Sequence, residues 1–177
     1  MIKFVKNKAR TNAIASIRKQ LRRHMGFCNF DTIKSVGIIV RYQFDIENEA
    51  VNKLLDFFKQ KSIRPEILVY YPDKKLPANV IVREGMLLFV EGGTNWFGKP
   101  QKQEIESFIN TDFGLLIDLS PQHVFSLQYI VEASKASFKV GRMSYKDDPY
   151  DFVLLGDLDN DSKYVDDLFR YLTKLEK

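Results

Sequence analysis

"SVGIIVRY", residues 35–42, is a short aliphatic, largely β-branched run without polar alternation, the pattern of a strand covered on both faces. The segment after it sets the fold. Asp45 can cap a helix with Glu47 and Glu49 in its first turn and Lys59 and Lys61 in its last, while Val51, Leu54, Leu55 and Phe58 recur at helical spacing. "EILVYY", residues 66–71, is a second strand, stopped by Pro72. Strand, helix, strand makes a βαβ unit with parallel strands and a right-handed crossover.

The alternation continues along the chain. "MLLFVE" at 86–91, "FGLLIDLS" at 113–120, "SFKVG" at 137–141 and "YDFVLLG" at 150–156 read as strands, with a further short one at Val80–Val82. Between them Pro100 opens a helix with Ile105, Phe108 and Ile109 inward, and "HVFSLQYIVEAS", residues 123–134, is another helix. Asp161 or Ser162 caps a last one, with Val165, Leu168, Phe169, Leu172 and Leu175 on one side. The expectation is an α/β fold. Residues 31–177 should form a single Rossmann-like three-layer domain with a mainly parallel sheet of five to six strands, behind a basic amphipathic helical arm at 1–30. Ligands of such sheets bind beyond the carboxyl ends of the strands, where the strand order reverses.

A chain of 177 residues, 45% hydrophobic and 28% charged, supports one continuous core and excludes disorder over most of its length. The lone Cys28 excludes an internal disulfide. No cluster of Cys and His offers metal ligands, so neither metal nor cofactor is expected, and a reducing cytoplasm suits the chain. "MIKFVKNKAR" breaks each apolar stretch with a charge, unlike a signal peptide or a membrane span. The net charge of +4 conceals an asymmetry: residues 1–30 hold eight of the 27 basic groups and no acid, so the body is mildly acidic. That is not a uniformly basic nucleic-acid-binding domain.

"GGTNWFGKP", residues 92–100, follows a strand and places Gly93, Gly98 and Lys99 at the spacing of a phosphate-binding P-loop. Where that loop needs a hydroxyl on Mg²⁺ this chain has Pro100, which removes the metal ligand and a backbone donor and biases Lys99 away from helical geometry. Nucleotide hydrolysis is therefore not expected. "LLID", ending in Asp118, resembles a Walker B strand only as any buried parallel strand with a carboxylate tip does. The favoured reading is a tight strand-to-helix crossing built on Gly92, Gly93 and Gly98, with Trp96 and Phe97 against the core. The functional reading is a small-anion site formed by Asn95, Trp96, Lys99, Asp118, Ser120 and Arg142 in one crevice.

No catalytic residue is nominated. His24 and His123 lack partners at informative spacing, Cys28 reads as a small buried side chain, and Ser120 before Pro121 reads as a helix cap. "DLDNDS", residues 157–162, starts like a calcium loop but has Ser162 where Gly is needed and Leu168 where a bidentate Glu is needed. Asp147, Asp148 and Asp151 read as a solvated turn or as a counterpart of the basic arm.

In that arm, Ala13, Ile14, Ile17, Leu21 and Met25 share one side of a helix over Ala13–Met25, started by Thr11 or Asn12 and ended by Gly26. Arg18, Lys19, Arg22 and Arg23 occupy the other side and are the candidate partner-binding residues. Docking on the chain's own domain or on a second copy is favoured, ahead of an anionic membrane surface. Nucleic acid comes last, since no recognised reading module accompanies the basic groups.

"NWFGKP" (95–100), "LLIDLS" (115–120) and "SKASFKVGR" (134–142), behind a basic helix, resemble an uncharacterised family of small bacterial proteins, found mainly in bacteroidetes and described only as a domain of unknown function. The resemblance implies an α/β fold and the cytoplasm, and no activity. Residues 113–141 are also similar to a strand–helix–strand stretch in the N-terminal domain of heptosyltransferase-like glycosyltransferases. Those enzymes work between two Rossmann-like domains, and this chain has length for one. The expected function is a non-catalytic binding domain attached to an unknown protein partner, or to itself, through the basic helix. The alternative is a glycosyl- or phosphoryl-transfer enzyme using the crevice near Lys99 and Asp118.

Overall fold

The computed structural model describes residues 1–26, 30–42, 49–76, 85–144, 148–156 and 160–175. Its elements in chain order are α1 (Ile2–Gln20), β1 (Val36–Arg41), α2 (Glu49–Gln60), β2 (Glu66–Tyr71), β3 (Met86–Val90), α3 (Gln103–Asn110), β4 (Leu115–Asp118), α4 (Phe125–Ala133), β5 (Phe138–Gly141), β6 (Phe152–Val153) and α5 (Asp161–Leu175). The six strands form one sheet in the order β3-β2-β1-β4-β5-β6, every neighbouring pair parallel. From β1 the chain winds outward through β2 and β3, returns to lay β4 beside β1, and winds outward the other way. That is the doubly wound Rossmann order, with its reversal at the carboxyl ends of β1 and β4.

The unalternating apolar run is explained by burial on both sides. Val36, Ile38 and Val40 pack with α2 and α5 on one face, and Ile39 packs with α3 and α4 on the other. Helix α2 contributes Val51, Leu54 and Phe58, α5 contributes Val165, Leu168 and Leu172, and Phe57 stacks on Phe169 between them at 3.9 Å. On the opposite face Ile105 and Phe108 of α3 meet Leu127, Ile130 and Val131 of α4 over Phe89 and Leu116. Fully burying one such side chain contributes about 1.5–3 kcal/mol, so the two faces together hold four helices to the sheet.

Several boundaries differ from the sequence-based expectation, each for a local reason. The first helix spans Ile2–Gln20, not Ala13–Met25: its lysines at 3, 6 and 8 are good helix formers, and no core opposes them there. After it, Leu21 turns extended, and residues 21–26 are tied to the α4–β5 connection by Arg23 Nη1 bonds to the Ala136 and Ser137 carbonyls, and by the Gly26 N–H to Ser137 O at 3.1 Å. Pro100 lies in a bridge to Thr94, and α3 starts three residues later. Asn160 caps α5, its side chain accepting the Lys163 N–H at 2.9 Å, which leaves Asp161 for another partner. Helix α4 starts from Val124, without Ser120 as its cap. The expectations for Cys28, Asp45, Glu47, Val80–Val82, Asp147 and Asp157–Asp159 fall outside the described residues.

Candidate functional site

The loop at 92–100 closes on itself. After the 3₁₀ turn Glu91–Gly93, the Asn95 carboxamide oxygen accepts the backbone N–H groups of Phe97, Gly98 and Lys99 at 3.2, 3.1 and 2.9 Å. Asn95 N–H bonds back to Lys99 O at 2.9 Å, and Gly98 takes φ +104°, which a side chain would resist. Three converging amides are the nest that a phosphate would occupy. Here an internal side chain fills it. Lys99 is turned outward, its Nζ 5.7 Å from the Tyr129 ring in a groove of about 240 Å³ between α3 and α4 that Lys102 and Glu106 also line. Trp96 projects into solvent, 60% exposed, so it does not cap the core as expected.

Asp118 ends β4 at the reversal point and is buried. Its Oδ1 accepts the Ser120 N–H at 2.8 Å and its Oδ2 accepts the Tyr150 hydroxyl at 2.7 Å. Burial raises its pKa above the ordinary 3.8, against those hydrogen bonds, which favour the ionised form. The folded chain thus holds this proton more tightly than the unfolded one. The contribution to stability is complete below pH 3.8 and is lost as pH rises through the elevated folded value. Asp118→Asn, uncharged at every pH and able to keep both contacts, is expected to melt higher than the native chain at pH 7, with the gap closing toward pH 3.8. A variant that melts at or below the native temperature at pH 7 contradicts this.

Several neighbouring polar groups are also engaged within the chain. Glu91 accepts hydrogen bonds from the Tyr70 hydroxyl at 3.1 Å and the Ser126 hydroxyl at 2.5 Å, and burial followed by the Glu91 charge keeps the Tyr70 phenol protonated above its ordinary range. Arg142, with a fully buried side chain, pairs with Asp161 and lies 4.7 Å over the Tyr164 ring. The six expected anion-site residues therefore divide. Asp118 and Ser120 share one cluster and Arg142 pairs with Asp161 of α5, while Asn95 is occupied by its own loop, Trp96 faces solvent and Lys99 lies against Tyr129 of α4.

Helix α1 is bolted to α4. Arg10 lies 4.6 Å over the Phe125 ring and donates to Phe97 O at 2.7 Å, and Arg18 pairs with the buried Glu132. Beyond the helix, Arg23 pairs with Asp151, its Nη1 2.8 Å from Oδ2. Arg18 and Arg23 are thus engaged by the chain's own acids, while Lys19 and Arg22 stay exposed. Because Arg10 meets the start of α4 and Arg18 its end, the two helices run in the same direction. The first eight residues of α1 then extend about 12 Å past α4, over the carboxyl edge of the sheet. There Ile2, Phe4 and Val5 are 83%, 74% and 50% exposed. Sequence reasoning passed over this tip, since its lysines spoil a single apolar stripe; the cue was the apolar pairs set between them.

No helix among the described residues is long and apolar enough to cross a membrane. Comparison with curated proteins and with solved structures finds no match. A family model does match, over residues 3–175 and so nearly the whole chain, and the chain belongs to DUF6913, a family of unknown function.

Proposed function

We propose that this chain is a non-catalytic α/β binding domain of the cytoplasm that attaches to a partner through its N-terminal helix. The observation that carries it is the division of labour along α1. Arg10 and Arg18 on the helix and Arg23 just after it secure the segment to the domain, and a first turn carrying Ile2, Phe4 and Val5 is left projecting. The attachment surface accordingly moves from Arg18 and Arg23 to the tip, with Lys19 and Arg22 behind it. Asn95 filling its own amide nest, and the internal pairing of Glu91, Asp118 and Arg142, support the absence of catalysis.

Size fractionation of a gentle extract of the chain's own cells tests the attachment. The native chain is expected in a large assembly or particulate fraction, and the double variant Phe4→Ser, Val5→Ser at its own mass; identical elution of the two refutes the reading. The alternative, a glycosyl- or phosphoryl-transfer enzyme, needs Lys99 and Asp118 on one ligand. Calorimetric titration with Mg-ATP or a sugar nucleotide, followed by assay for its turnover, separates the two: saturable uptake and turnover both abolished by Lys99→Ala would establish the enzyme.

A further inference from the structure

We infer that the partner of the α1 tip is an anionic lipid surface, an inference that rests on the attachment proposed above. Nine large apolar side chains are exposed among the described residues, and six of them, Met1, Ile2, Phe4, Val5, Leu76 and Trp96, lie on the α1 tip or in the segments that follow β2 and β3 at their carboxyl ends, whereas Leu155 lines a groove with Tyr171 of α5. Scattered apolar exposure needs no explanation, but segregation to one edge marks an interaction surface.

Trp96 stands near the root of the projecting tip. Arg10 of α1 donates to Phe97 O, next to Trp96, and Gly92 of the same loop abuts the Lys74 carbonyl just before Leu76. Cations surround these apolar groups: Lys3 and Lys8 on the tip and Lys74, Lys75 and Lys99 beside it are exposed, and none has an ion-pair partner among the described residues. The type of cation discriminates between partners. Protein interfaces are enriched in Arg and depleted in Lys, and here Arg10, Arg18 and Arg23 turn inward while lysines remain outside. Lysines on flexible stems beside an apolar tip suit lipid headgroups, and the exposed Trp96 is of the residue type that anchors at a bilayer interface. A nucleic acid would satisfy the lysines and leave Ile2, Phe4 and Val5 in water.

Trp96 is the single tryptophan of the chain, so its emission reports insertion directly. With the full chain at low salt, vesicles of phosphatidylcholine and phosphatidylglycerol are expected to shift the emission to shorter wavelength and to carry the protein in flotation, and phosphatidylcholine vesicles are not. Changing Lys3, Lys6 and Lys8 together to Gln should weaken binding roughly 100-fold, and raised salt should weaken it also. Phe4→Ser with Val5→Ser should remove the emission shift while leaving the melting temperature unchanged, because both side chains are exposed. Failure of the native chain to float with anionic vesicles, or equal flotation of the serine variant, overturns the inference. So does an emission shift that follows protein concentration without vesicles, which assigns the tip to a second copy. If the cellular assembly depends on Phe4 and Val5 while vesicles do not bind, the attachment stands and the lipid falls.

Discussion

Arg23→Ala is expected to lower the free energy of unfolding by about 3 kcal/mol, the scale for leaving one member of a buried ion pair uncompensated. Arg23 and Asp151 keep only 15% and 12% of their side-chain surface exposed, and the same guanidinium bonds the Ala136 and Ser137 carbonyls at 3.1 and 3.2 Å. Without it Asp151 retains the Lys139 N–H at 2.8 Å and the attraction of the buried Lys139 ammonium, but no direct ion pair. Urea unfolding at pH 7 measures the loss, and Arg22→Ala is the control. Arg22 is exposed and bonds only neighbouring backbone carbonyls, so its loss should stay within about 0.5 kcal/mol. Equal losses in the two variants would show that the segment after α1 is not held as described.

Arg23 also acts on a buried lysine. Lys139 donates to the Val131 and Glu132 carbonyls at 2.6 and 3.3 Å, at the end of α4, and burial, then the Arg23 charge, lower its pKa to about 8. Above that value the unfolded chain, with its lysine at the ordinary 10.5, binds more protons than the folded one, so stability rises with pH. Removing Arg23 takes away one of the two lowering causes. The alkaline rise should be shallower in the variant than in the native chain.

The sheet was legible because burial on both faces writes a local pattern: β1, β2, β3, β4 and β5 each appear as short apolar runs, and Glu66–Tyr71 matches to the residue. The strand order is not local. It follows from which helix covers which face, and Ile39 facing α4 while Val40 faces α5 is invisible in a run where every residue is apolar. Helix starts failed where tertiary bonds compete with local signals: Pro100 bridges to Thr94, and Asn160 takes the cap expected of Asp161 or Ser162, which are claimed by Arg142 and Glu49. The candidate site fared similarly. The objection to a P-loop, drawn from Pro100, stands beside a stronger one that spacing does not reveal, the Asn95 side chain seated in the amide nest. Asp118 was visible as a strand tip, but Tyr150, which satisfies it from 32 residues away, was not.

Gly141→Ala should destabilise the fold by about 4 kcal/mol, combining overpacking of about 1–3 with the loss of a charge-assisted hydrogen bond of about 1.5–3. A Cβ at position 141 would stand 2.4 Å from Cδ2 and Cε2 of the Tyr150 ring. The strand cannot retreat. Gly141 is paired with Asp118 on one side and Val153 on the other, and its carbonyl accepts the Leu154 N–H at 3.1 Å and the Tyr164 hydroxyl at 3.2 Å. The ring must therefore move, and its hydroxyl leaves Asp118 Oδ2, stripping a buried carboxyl of one of its two bonds. A double-mutant cycle isolates this chain of events. In a Tyr150→Ala background the obstructing ring and the hydrogen bond are already gone, so adding Gly141→Ala should cost less than about 1 kcal/mol, a non-additivity of about 3. Losses that add within about 0.5 kcal/mol would mean that the methyl group is accommodated without displacing the ring. If the non-additivity is found and Asp118→Asn also shrinks it, then Gly141, Tyr150 and Asp118 act as one unit, and the polar groups at the reversal of the sheet serve to close that edge of the core.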